Sequence, residues 1–290
     1  MEGMTQQQNP RKTIVIFLLI TLAISSIFYA FIIHTGKIMG GRGVFVTGMM
    51  WSPALSSFLT SWIIKRPISA MAWKWGESRY QLWSYLVPLL YSLAGYLIIW
   101  TVGWGKFYDP EFVGGVAESF GLEKLPKGIV IALYILLMAG FGMVRSVSSA
   151  LGEEIGWRGF LVPEMYKVMG YTKTCLITGC IWALWHLPIL LFADYNSGTP
   201  AWYGFSCFSM LVISGSFIYA WFRLKSGSLW TAVLLHASHN LFIQAIFTPL
   251  TLTSDKTKYY YDEFGIVIPI LSVLVAIYLW NRRGELPAPK

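Results

Sequence analysis

At 290 residues, 56% hydrophobic and only 12% charged, the chain carries about half the charge density of an ordinary soluble domain. This composition excludes a soluble enzyme and indicates an all-α, polytopic membrane protein. The net charge of +8 does not indicate nucleic acid, because no Lys/Arg run with interleaved aromatics occurs and the basic residues fall in short loops between apolar stretches.

A helix needs about 20 apolar residues to cross a bilayer. In chain order, eight candidate spans meet that criterion, at roughly 13–34, 44–63, 80–103, 127–146, 174–193, 203–222, 229–249 and 264–281. The first follows Arg11 and Lys12 and is too long for the apolar region of a signal peptide, which runs roughly 7–15 residues, so it reads as a retained helix. The second is the weakest, because Pro53 interrupts it. Between the fourth and fifth lies 147–173, amphipathic rather than apolar, which carries two adjacent acids. Trp83, Trp100, Trp104, Trp202, Trp221, Tyr278 and Trp280 mark span ends in the manner of interfacial belts. With the N-terminus in the cytoplasm, 15 of the 22 Lys/Arg fall on the cytoplasmic side, which predicts that both termini lie there. No internal repeat appears, and residues 1–290 read as one transmembrane domain. Cys175, Cys180 and Cys207 have no metal-like spacing and read as small core residues.

Titratable side chains inside hydrocarbon are costly and point to function by default. Glu153 and Glu154 are neighbours, about 100° apart on a helix, so they face different partners. Glu154 and Arg158 are one turn apart and suited to an ion pair, which leaves Glu153 to face a cavity as a general base or acid. A solvated amphipathic helix with its acids in water is the plain alternative. His186 lies in the fifth span beside Pro188, which removes a backbone hydrogen bond and predicts an irregularity that lines a cavity; packing alone is the alternative. His236 and Asn240 share a face of the seventh span and can both donate hydrogen bonds to an oxyanion, or else simply tie helices together. His239 lies beside that face or turns to the next helix, and His34 reads as interfacial. Glu153, His186 and His236 would also suffice for a three-ligand Zn2+ site, although no H-E-x-x-H pattern is present. The residues by themselves permit either a metal-activated or a metal-free water.

Taken together, Glu153-Glu154-x-x-x-Arg158, Trp182-x-x-x-His186 and His236-x-x-x-Asn240 resemble the motifs of the CAAX protease and bacteriocin-processing (CPBP) family of intramembrane endopeptidases, also called type II prenyl endopeptidases. The first and third match that pattern fully. The second has tryptophan where the family has phenylalanine. The resemblance covers about residues 125–245. It implies a peptidase whose polar cavity opens towards the cytosol, with Glu153 and His186 activating water, His236 and Asn240 holding the oxyanion, and Glu154 and Arg158 shaping the site. It further implies a metal-free, glutamate-dependent mechanism and a lipidated or membrane-associated peptide as substrate, with no nucleic acid partner. Two other readings compete: a non-enzymatic immunity or scaffold protein of the same ancestry, and a proton-coupled transporter. The polar groups all fall in the C-terminal half without a repeat, which disfavours the transporter. Compact loops point to a bacterial plasma membrane, or to the endoplasmic reticulum in a eukaryote.

Overall fold

The computed structural model describes residues 9–289 as a bundle of ten α-helices, with a single two-residue strand pair as the β-structure among them. The helices are α1 (Pro10–Thr35), α2 (Val44–Ile63), α3 (Ser78–Val102), α4 (Pro110–Phe120), α5 (Lys127–Leu137), α6 (Met143–Glu154), α7 (Val162–Phe192), α8 (Ala201–Ser226), α9 (Leu229–Asn240) and α10 (Val267–Asn281). Each predicted span has a helical counterpart. Four helical stretches are both long and apolar enough to cross a membrane: 10–35, 78–102, 127–192 and 201–226. α10 is apolar but shorter. The chain is an integral membrane protein.

The main departure from expectation concerns 147–173. This segment is not a surface connection. A helical run from Lys127 passes through two π-helical segments, Met138–Gly142 and Ile155–Leu161, and Ala150 through Leu161 is almost continuously buried. Arg158, counted above as a loop cation, is among the largest fully buried side chains. The run breaks only at Gly170, whose φ of 70° and ψ of 177° suit glycine and no helix. The irregularity expected at Pro188 does not occur, and α7 continues to Phe192. The π-helical segments lie instead before α7 and after α9, where Leu241–Phe247 is the third. Single π-turns of this kind recur at functional sites. Cys175 and Cys207 are buried as expected, but Cys180 is exposed.

Packing explains how a polar segment can sit inside the bundle. α2 buries Ser52, Ser56 and Thr60, each of which returns its hydroxyl to its own helix backbone, at 2.9, 2.7 and 2.7 Å. Their polar atoms therefore need no partner across the interface, and the small stripe lets another helix approach closely. Gly152 and Gly156 use that space. A Cβ on Gly156 would lie 2.3 Å from Pro53 Cβ and 2.6 Å from its carbonyl oxygen. Gly156→Ala is therefore expected to destabilise the protein by about 1–3 kcal/mol through overpacking, read as a lower melting temperature in detergent, whereas Gly114→Ala, with nothing within 4 Å, should be far milder.

The bundle has two distinct ends. One gathers the start of α1, the 64–77 connection, the 227–228 turn and the C-terminal tail, tied by Arg66–Glu164 (2.6 Å), Lys225–Glu285 (3.3 Å) and Tyr166 to the Pro287 carbonyl (2.7 Å). The other gathers 36–43, 103–126, 193–200 and 248–266. There Asp194 accepts from the Ile38 amide at 2.6 Å, Lys106–Phe107 pairs with Thr251–Leu252, and Ser197 donates to Asp262 at 2.6 Å. α4 lies at this second end, capped by Asp109 and packed through Val113 and Ala117.

Candidate active site

Three separate elements carry the motif residues to one place. Glu153 and Glu154 end α6 against α2 and α9, His186 comes from the C-terminal part of α7, and His236 and Asn240 come from α9. All but Asn240 are buried: Glu153 is 2% exposed, Glu154 0%, Arg158 1%, His186 7% and His236 6%. These values exclude the solvated-helix reading of the acid pair. A cavity of about 250 Å³ is lined by Glu153, Trp182, His186, His236 and Asn240.

Glu154 turns away from the cavity. Its Oε1 receives Arg158 Nη1 and His236 Nδ1, both at 2.9 Å. Arg158 is held from several sides: Nη2 donates to Ser216 Oγ at 3.2 Å, and its guanidinium lies 4.3 Å over the Trp182 ring and 4.8 Å over Tyr219. The anticipated ion pair between Glu154 and Arg158 is thus present, and it extends to a histidine that the spacing of residues did not connect to it. Tyr219 stacks on His236 with ring centres 6.0 Å apart.

The tautomers follow from the partners. His186 Nδ1 sits 3.0 Å from the Trp182 carbonyl oxygen, an acceptor only, so Nδ1 carries the hydrogen and Nε2 keeps its lone pair. For His236 the carboxylate of Glu154 takes the Nδ1 hydrogen. Its Nε2 can therefore donate only when the ring carries a second proton, with Glu154 as the counter-charge.

Glu153 faces the cavity. Its Oε2 accepts the Trp182 indole N–H at 2.7 Å. Sequence reasoning treated Trp182 as a packing residue and missed this donor.

A second polar cluster on the same cavity was also missed. His239 Nε2 lies 2.9 Å from Glu263 Oε1, and Gln244 and Tyr195 donate to Glu263 Oε2 at 3.0 and 3.3 Å. Tyr91 hydrogen-bonds His239 Nδ1 from α3. His239 therefore turns to the neighbouring elements, the second of the two options its position allowed. Tyr195 in turn stacks against His186 at 6.0 Å. Glu263 belongs to no motif, and its loop position at the edge of an apolar span left no signal in the sequence. Beside it Asp262, in the 248–266 connection, is pushed up to about 6 by burial and by the charge of Glu263. The folded protein thus holds this proton more tightly than the unfolded chain, whose carboxyl titrates near 3.9. Stability should fall as pH rises from about 4 to about 6 and then level off. Asp262→Asn, which keeps the acceptor for the Glu263 amide and tolerates the φ of 63°, should flatten that dependence in melts at pH 5 and pH 7.

Among the described residues no group of three or more His, Cys, Asp or Glu side chains stands where it could hold one metal ion. Glu153, His186 and His236 nevertheless line the same cavity. The cavity reaches the second end of the bundle at Met39, which is 60% exposed, alongside Ile38, Tyr195 and Glu263. Both ends of the described chain lie at the first end. Met39 and the two ends of the described chain thus lie at opposite ends of the bundle.

The model of the type II CAAX prenyl endopeptidase Rce1-like family matches residues 127–242, the stretch that holds every motif above. This stretch of the chain is similar to that family. Among characterised proteins, the CAAX prenyl protease 2 of Methanococcus maripaludis is 28% identical over 186 residues, covering 62% of this chain. The chain spans 58% of that relative's length, somewhat over half.

Proposed function

We propose that the chain is an intramembrane endopeptidase that hydrolyses a peptide bond in a lipidated or membrane-associated substrate. The observation that carries this reading is the convergence on one buried cavity of a carboxylate (Glu153), an imidazole with a free Nε2 (His186), and two candidate donors (His236 and Asn240). The family match and the relative named as a CAAX prenyl protease support it.

A water between Glu153 and His186 gives up its proton as its oxygen attacks the scissile carbonyl carbon. The carbonyl oxygen becomes an alkoxide, stabilised by the Nε2–H of a doubly protonated His236 and by the Asn240 amide. In a nearly dry cavity such donors count for far more than in water. The carbon–nitrogen bond then breaks, and the proton held by Glu153 or His186 passes to the leaving amine. Glu154 and Arg158 take no part in proton transfer. Their pairing orients His236 and supplies its counter-charge.

The test compares peptide termini in cells expressing the wild-type chain or Glu153→Gln at matched membrane levels. Termini that disappear with the variant identify the substrate and sustain the peptidase. An unchanged set of termini with a folded variant would replace it with the scaffold or immunity role. A prenylated CAAX peptide is the first candidate substrate, and chelator in a follow-up assay on purified protein separates metal-free from metal-dependent hydrolysis.

A further inference from the structure

The tryptophan at the one departure from the family motif touches nearly every part of the candidate site. Trp182 takes the Arg158 guanidinium on its face at 4.3 Å, meets the His236 ring edge-on at 5.4 Å and Tyr219 at 5.9 Å, and donates its N–H to Glu153 at 2.7 Å. A phenylalanine here would still present an aromatic ring but no N–H, and the N–H is the group that meets Glu153.

We propose that Trp182 is a positioning residue: its indole N–H anchors Glu153 through Oε2, leaves Oε1 as the proton-accepting oxygen, and its ring keeps the Arg158 guanidinium off that carboxylate. This inference rests on the peptidase reading. Without a donor a buried glutamate has three side-chain torsions free to swing, and one hydrogen bond of 2.7 Å to a charged acceptor removes most of that freedom. The insulation is equally specific. Arg158 spends Nη1 on Glu154 and Nη2 on Ser216, its Nε has no partner, and the indole covers its face, so it forms no ion pair with Glu153. The acid pair is thus divided, with Glu154 neutralised by arginine and Glu153 held by a neutral donor and left able to take up a proton.

The experiment uses the full chain purified in detergent as wild type, as Trp182→Phe, and with Trp182 replaced by 3-benzothienylalanine, which has the shape of tryptophan but no N–H. Two readouts are taken across pH: the carboxyl infrared band that Glu153→Gln abolishes, and kcat and KM for a quenched prenylated CAAX peptide. The expected result is that both variants shift the position of the Glu153 carboxyl band, which loses its N–H donor, and lower kcat by about tenfold, with KM within about twofold of wild type. A benzothienylalanine protein that superimposes on wild type in both readouts would reduce Trp182 to packing and overturn the proposal, even if Trp182→Phe misfolds. An infrared shift in a protein that does not cleave the peptide would uphold the hydrogen bond while removing the peptidase reading.

Discussion

Glu153→Gln is expected to lower kcat by a factor of about 10²–10⁴, the usual range for removing a general base, with KM changed little. The substitution is conservative where it needs to be. The glutamine carbonyl oxygen can still accept the Trp182 N–H, the side chain keeps its volume in a position 2% exposed, and the Glu154–Arg158–His236 network is untouched. What disappears is the oxygen that takes a proton from water. Rates on purified protein with a defined peptide, beside melting curves showing an intact fold, check this. A variant within tenfold of wild type would mean that His186 activates water alone or that the cavity does not hydrolyse peptides.

Arg158→Met should have the largest effect on stability. The guanidinium is 1% exposed and sits between two aromatic rings, beside a carboxylate that is 0% exposed. Removing it leaves Glu154 buried with only His236 to offset its charge, and breaking a buried pair in this way costs about 3–5 kcal/mol. The double variant Glu154→Gln/Arg158→Met removes both charges and should recover most of that loss. Activity should not return with stability, because His236 no longer has a counter-charge for the protonated form that donates from Nε2. Unfolding in detergent and peptide cleavage, measured on the same four proteins of the cycle, separate the two roles. If Arg158→Met alone melts like wild type, the buried pair is not what holds α6 to α8 and α9.

Much of the architecture could be read directly from the chain. Runs of about 20 apolar residues have few stable outcomes other than membrane helices, so the positions of the spans follow from hydropathy. Spacing alone also fixed the one-turn relation of Glu154 to Arg158 and the shared face of His236 and Asn240. The sequence left the segment carrying the acids open between a cavity-facing carboxylate and a solvated helix; in the bundle its polarity is satisfied by side chains from α8 and α9 and admitted by the serine-rich face of α2. A linear sequence does not display partners that come from tens of residues away.

The sequence by itself determined that this is a helical membrane protein with three motifs of one family, because apolar length and local spacing are properties of neighbouring residues. Only the tertiary structure decided which atom meets which: Glu154 rather than Glu153 on His236, the Trp182 N–H on Glu153, and Glu263 with His239 on the same cavity. Each of those contacts joins segments distant in the chain. Their register is set by how closely the helices pack, and that depends on small residues such as Gly156 against Pro53.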